Sequence, residues 1–146
     1  MADESTIQLA DAMVAAINAV DDWPVQFTAA REWEYRFEVN DWVVRLILCP
    51  QEPDVSESAK DLHVTMTLQA KVKEPSKTLV DPLWNLYFAV RDLLDETALT
   101  VNGLVVVWQP SGTPTLDRDI LRDNKVFMLS GDMHRQLPII LTDVTR

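Results

Sequence analysis

Glycine is scarce in this chain of 146 residues, which contains three. Loops that cradle phosphate rely on glycine to let backbone amides approach the ligand, so such loops are nearly excluded. Cysteine is scarcer still, and the single Cys49 rules out an internal disulfide, in keeping with a reducing compartment. Placed between Leu48 and Pro50 at the end of an apolar run, it is expected to be a buried structural thiol and not a nucleophile. Two histidines, His63 and His134, lie far apart in the sequence, and with one cysteine they are too few for a structural zinc site. No GxSxG elbow or other nucleophile motif accompanies them, so no catalytic histidine is expected. Cations are outnumbered, thirteen Lys and Arg against twenty-three Asp and Glu, and the net charge of -10 is spread along the chain. Gripping a nucleic-acid backbone requires cationic contacts, so that function is not expected. No apolar run approaches the roughly 18 residues of a membrane span, and the acidic start MADESTIQLADAM is unlike a secretory signal. A soluble product made in the cytoplasm, with no membrane role, is the expectation.

What the chain does have is tryptophan: Trp23, Trp33, Trp42, Trp84 and Trp108. These supply large apolar surface of the kind used in cores and subunit interfaces. Ser5 or Thr6 can cap a first helix carrying Ile7, Ala10, Val14 and Ile17 at helical spacing, with an end expected near Asp21, before Pro24. In VQFTAAREWEYRFEV, Trp33, Tyr35, Phe37 and Val39 alternate with Glu32, Glu34, Arg36 and Glu38, a strand pattern, and Asn40 with Asp41 supplies a turn. WVVRLILC follows as a more evenly apolar strand that stops at Pro50.

The polar, proline-bearing stretch from Gln51 to Lys60 is expected to be a mobile loop, too long for a tight hairpin. DLHVTMTLQAKVK then alternates throughout, Leu62, Val64, Met66, Leu68, Ala70 and Val72 against His63, Thr65, Thr67, Gln69, Lys71 and Lys73. Asp81 before Pro82 is expected to start a second helix with an apolar face of Leu83, Leu86, Tyr87, Val90, Leu93 and Leu94, running to about Thr97. Asn102 and Gly103 turn the chain into LVVVWQP, expected to be a short buried strand, and SGTPTLDRDILRDN is expected to be loop with at most a single helical turn. KVFMLSG reads as a strand or the end of a helix, and QLPIILTDVTR as a terminal strand in which Pro138 marks the start or a sheet edge. The order predicts a single α+β domain over residues 1–146, with two layers: a mainly antiparallel sheet of about five or six strands, and two main helices on one face.

Carboxylates are plentiful, and Asp117, Asp119 and Asp123 come closest to a cluster. Arg118 and Arg122 are interleaved with them, and the glycine and terminal glutamate of an EF-hand loop are missing. A solvated loop with internal ion pairs is the simpler reading. With no enzyme-grade motif, neither catalytic activity nor a cofactor is expected.

The segments STIQLADAMVAAINA, FTAAREWEYRFEVNDWVVRLILCP, AKDLHVTMTLQAKVK, DPLWNLYFAVRDLL and LPIILTDVTR, in that order, resemble a family of small tailed-phage and prophage morphogenesis proteins of the tail-completion or tail-terminator kind. The resemblance lies in hydrophobic patterning and segment order over nearly the whole chain. It implies a virion structural protein of the tail or neck, a homohexameric ring capping the head-proximal end of the tail tube. Its partners would be further copies of itself, the tail tube protein and the head-tail connector or stopper protein, with DNA only as passing cargo. The expected interface residues are Gln51, Glu52, Asp54 and Glu57 in the loop and His63, Thr65, Thr67, Gln69, Lys71 and Lys73 in the polar row. Another neck or head-completion protein, or a small acidic dimeric secretion chaperone, would fit the same size and charge.

Overall fold

The computed structural model describes residues 4–32, 44–55, 59–71, 77–108, 114–116 and 126–138. Along them run α1 (Glu4–Asn18), β1 (Thr28–Arg31), β2 (Val44–Pro50), β3 (Asp54–Val55), β4 (Ala59–Lys71), α2 (Lys77–Glu96), β5 (Thr100–Val101), β6 (Leu104–Val105), β7 (Val107–Trp108), β8 (Thr115–Leu116) and β9 (Val126–Pro138). The main sheet has the order β1-β2-β4-β9-β7, with β3 also paired to β4 and β8 to β9. β4 and β9 pair antiparallel over their whole length, from Ala59 opposite Pro138 to Lys71 opposite Val126. Each therefore has one edge left, which β2 and β3 share on β4, and β7 and β8 share on β9. Seven segments thus fill five lanes. The fold is α+β with a mainly antiparallel sheet, as the alternation of strand and helix patterns predicts.

The alternation of β4 translates directly into burial. Leu62, Val64, Met66, Leu68 and Ala70 are buried, and their cross-strand partners Leu46 and Leu48 of β2 and Phe127, Leu129 and Met133 of β9 carry the same row across the sheet. α1 adds Leu9, Ala10, Met13 and Ile17, and α2 adds Leu83, Leu86, Tyr87, Val90 and Leu94, all in one core cluster. Each fully buried Leu or Met contributes about 1.5–3 kcal/mol relative to exposure, so this row against two helices is the main stabilising layer.

At two inward positions of β9 the row is not hydrophobic. Gly131, opposite Met66, lies under Tyr87, whose hydroxyl donates to the Met66 carbonyl at 3.1 Å. A Cβ at Gly131 would stand 2.7 Å from that hydroxyl oxygen, so only glycine leaves room for the ring. Arg135, opposite Leu62 and 2% exposed, donates from its guanidinium to Asp95 of α2 at 2.6 Å. A buried guanidinium is tolerated only when paired and hydrogen-bonded, so this bond ties the end of α2 to the sheet.

Several boundaries differ from expectation. α1 begins at Glu4, so Ser5 and Thr6 are buried inside its first turn and not caps, and Ser5 Oγ accepts from Asn102 Nδ2 at 3.2 Å. It ends at Asn18, earlier than Asp21, where Trp23 Nε1 donates at 3.3 Å to the Ile17 carbonyl, which also accepts from the Val20 amide at 3.2 Å. α2 begins at Lys77, so Pro82 lies inside it, on its exposed side, instead of opening it. β1 stops at Arg31 and pairs with β2 in parallel, which a turn joining two successive strands cannot give. The Trp33 to Val39 alternation, the Asn40–Asp41 turn, Trp42, the Asp117 to Asp123 group and residues 139–146 lie outside the described residues.

The segment expected to be loop from Gln51 to Lys60 contains β3 and the start of β4. Pro50 faces Val64 and Asp54 faces Asp61, so three residues of one lane oppose two of the other, a one-residue β-bulge. Gln51 N still donates to the His63 carbonyl at 2.8 Å, which keeps the ladder running through the bulge. β9 likewise replaces two separate expected segments. VFMLSG, from Val126, and the residues through Pro138 form one strand, and Pro138 is its last described residue instead of its start. Asn102 and Gly103 do form the turn of the β5–β6 hairpin, with φ of 52° and 79° at its two central residues. Positive φ at both is the two-residue geometry that Asn-Gly favours. Gln8 closes the same turn, its side chain bonding both the Asn102 amide N–H and its side-chain oxygen at 2.9 Å. No helix among the described residues is long and apolar enough to cross a membrane.

Candidate interaction face

Because side chains alternate along a strand, burying one row of β4 under the helices sends the polar row to the opposite face of the sheet. The register of β4 with β2 and β9 then sets what each polar residue meets. Gln69 accepts from Arg45 Nε at 2.8 Å and directs its own amide at Met128 Sδ at 3.5 Å. Thr67 and Ser130 share a hydroxyl hydrogen bond of 3.0 Å, and Thr65 Oγ1 donates to Asp132 at 2.9 Å. His63 meets His134 edge to face, ring centroids 4.3 Å apart, and its Nε2 is 3.1 Å from Asp54 Oδ2 on β3. The polar row is thus a cross-strand ladder in which most groups already hold a neighbour; His63, Thr65, Thr67 and Gln69 are half-buried, while Lys71 and the partners Asp132 and Asp54 are exposed.

The two sets of expected interface residues therefore become one surface. Asp54 joins His63 directly, and Gln51 reaches Cys49, its Nε2 donating to the thiol at 3.3 Å. Gln51, Glu52 and Lys71 are exposed, while Glu57 and Lys73 lie outside the described residues. Cys49 points to this outer face and is half-buried, instead of lying in the core. Burial, followed by the nearby Glu32 charge, pushes its thiol above the ordinary value, which disfavours the nucleophilic thiolate.

Sequence reading missed the β9 half of the face: Met128, Ser130, Asp132, His134 and Gln136. The signal was present, since these residues recur at every second position, but it falls across two separately expected segments, KVFMLSG and QLPIILTDVTR, and the unassigned residues between them. The histidines, distant in sequence, are direct cross-strand partners. Among the described residues no group of three His, Cys, Asp or Glu side chains is gathered to hold a metal ion as it stands.

The end of the sheet carrying this cluster also carries exposed apolar side chains. Val55 on β3 is 66% exposed and Val107 on β7 is 47% exposed, at the outer lanes on either side of the β4–β9 pair. Chemically, the face offers hydrogen-bonding edges, carboxylates and two imidazoles, bordered by valines. This composition suits contact with another surface. The chain matches no protein-family model and no curated protein.

Proposed function

We propose that this chain is a structural subunit of a tailed-phage virion, a tail terminator that forms a ring at the head-proximal end of the tail tube and joins the tail to the head connector or stopper protein. The observation that carries the reading is the one-sided layering. Both helices cover a single face of the sheet, which leaves a polar ladder across the other and exposed Val55 and Val107 at its outer lanes. A subunit repeated around an axis needs such side surfaces for its neighbours and a polar face for a lumen or the next layer. The acidic balance, a net charge of -10, suits a conduit through which DNA slides without adhering, because like charges repel. In this reading the chain acts in the virion neck, after assembly from subunits made in the host cytoplasm.

Native mass spectrometry and negative-stain electron microscopy of the purified chain, with and without tail tube protein, test it. A ring, most simply of six copies, or a stable complex with tube ends is the expected result. The proposal fails if the chain stays monomeric at high concentration and binds neither tube protein nor assembled tails. A closed two-fold dimer would instead favour a chaperone.

A further inference from the structure

Both histidines of the chain stand opposite one another on β4 and β9, and a carboxylate from the neighbouring lane reaches the first of them. We propose that His63, His134 and Asp54 bind a divalent transition-metal ion of the kind that prefers imidazole, such as zinc or nickel. Three observations combine. His63 Nε2 and Asp54 Oδ2 are 3.1 Å apart, and two donors that each lie about 2.0–2.2 Å from one tetrahedral ion stand about 3.4 Å from each other. The His134 ring packs edge to face on the His63 ring, centroids 4.3 Å apart, which places a second imidazole beside the first. Asp61, facing Asp54 in the register and two residues from His63 on the same row, has a buried Oδ1 without a hydrogen-bond partner among the described residues. A buried carboxylate oxygen left unpaired raises the negative potential beside Asp54, which favours a cation.

The donors are poised and not yet gathered. The rings meet at 68°, edge to face, so coordination requires His134 to turn about its side-chain bonds until both imidazoles present a nitrogen to Asp54. Both rings are half-buried on a face the helices do not cover, and rotamer changes of that kind are rapid. The ion replaces the contact between His63 and Asp54, taking the ring nitrogens as neutral imidazoles and leaving solvent in any remaining position. It joins β3, β4 and β9, which are brought together only in the folded chain, so binding stabilises the fold. The site neither needs nor excludes a ring, and its test is independent of that reading.

Titration calorimetry of the full chain with zinc chloride and nickel chloride, with thermal unfolding in parallel, tests the site. One ion per chain is expected, with affinity reduced at least about tenfold in His63→Gln and in His134→Gln, and less in Asp54→Asn. Ion at about a hundredfold excess over Kd is expected to raise Tm by roughly 5–10 °C in the wild type and much less in His134→Gln, with EDTA reversing the rise. Because His134 is on the outer face, its glutamine variant is expected to keep the metal-free Tm, which separates a lost ligand from a lost fold. The proposal is overturned if no saturable binding occurs below about 1 mM, or if the double variant His63→Gln/His134→Gln binds as the wild type does.

Discussion

Substituting Gly131 by alanine is expected to be among the most damaging small changes in the sheet, and the damage is expected to depend on one oxygen atom. The new Cβ would lie 2.7 Å from the Tyr87 hydroxyl oxygen and 3.4 Å from Pro114 Cα. Tyr87 is 1% exposed and its hydroxyl is already committed to the Met66 carbonyl, so the ring can withdraw only by breaking that bond and shifting α2. Overpacking of this kind costs about 1–3 kcal/mol and the hydrogen bond about 1 kcal/mol, giving roughly 3 kcal/mol for Gly131→Ala. In a chain of this length that corresponds to a fall of roughly 10 °C in Tm. Tyr87→Phe removes the obstructing oxygen at a cost of about 1 kcal/mol. In that background the nearest atoms left to a Cβ at 131 are those of Pro114, at 3.4 and 3.7 Å, and the lower backbone entropy of alanine in a strand offsets about 0.5–1 kcal/mol. The double variant should therefore be little worse than Tyr87→Phe alone, a coupling of about 3 kcal/mol. Urea unfolding of the four proteins, followed by tryptophan fluorescence, measures it. Additive costs, or a Gly131→Ala protein within about 0.5 kcal/mol of the wild type, would refute the packing argument.

Asp95→Ala removes the carboxylate that the buried Arg135 guanidinium bonds at 2.6 Å and is expected to cost about 3 kcal/mol. Asp11→Ala, which breaks the more exposed pair with Arg31, should cost less than about 1 kcal/mol, and chemical denaturation compares the two directly. The pH dependence of stability has a definite sign at the alkaline end. Burial raises the Tyr87 phenol and the Cys49 thiol above their ordinary values, so the unfolded chain gives up these protons first. The stability they contribute is complete below the unfolded pKa values and is lost as pH rises from those values through the higher folded ones. Urea midpoints measured toward pH 11 should fall, and less steeply in Tyr87→Phe. For the same reason Cys49 should be alkylated by iodoacetamide more slowly at neutral pH in the folded chain than after unfolding.

The core was largely legible because its signal is periodic. The row from Leu62 to Ala70 is buried, as are Ala10 and Ile17 of the expected α1 stripe and all of the α2 stripe but Leu93, while Ile7, Val14 and Leu93 are half-buried; two helices on one face of a mainly antiparallel sheet follow from this pattern. Local turn chemistry succeeded at Asn102–Gly103, where positive φ demands particular residues. Sequence patterning was silent where tertiary contacts set the residue type. Gly131 closes the expected segment KVFMLSG, yet it is the gap that a tyrosine fills, and Arg135 belongs to neither expected segment, yet it answers Asp95 on a helix forty residues earlier. The Gln51 to Lys60 stretch misled because a bulge places two prolines in a strand lane, where an uninterrupted ladder would exclude them. Of the outer face, the β4 row was visible, but its register with β9 was not. A long-range pairing leaves no mark on either segment beyond an alternation that exceptions can hide.

The full-length pairing of β4 with β9 also affects how the chain must be made. β4 leaves the ribosome roughly fifty residues before β9 begins, so for that interval one edge of a 13-residue strand has no partner. Contacts this distant in sequence close slowly, and an open edge recruits other strands while it waits. β4 carries Lys60 near its start and Lys71 at its end, and such charges make edge-to-edge pairing between nascent chains less favourable. The strand at the centre of the finished sheet is therefore the one most exposed to misassembly during synthesis.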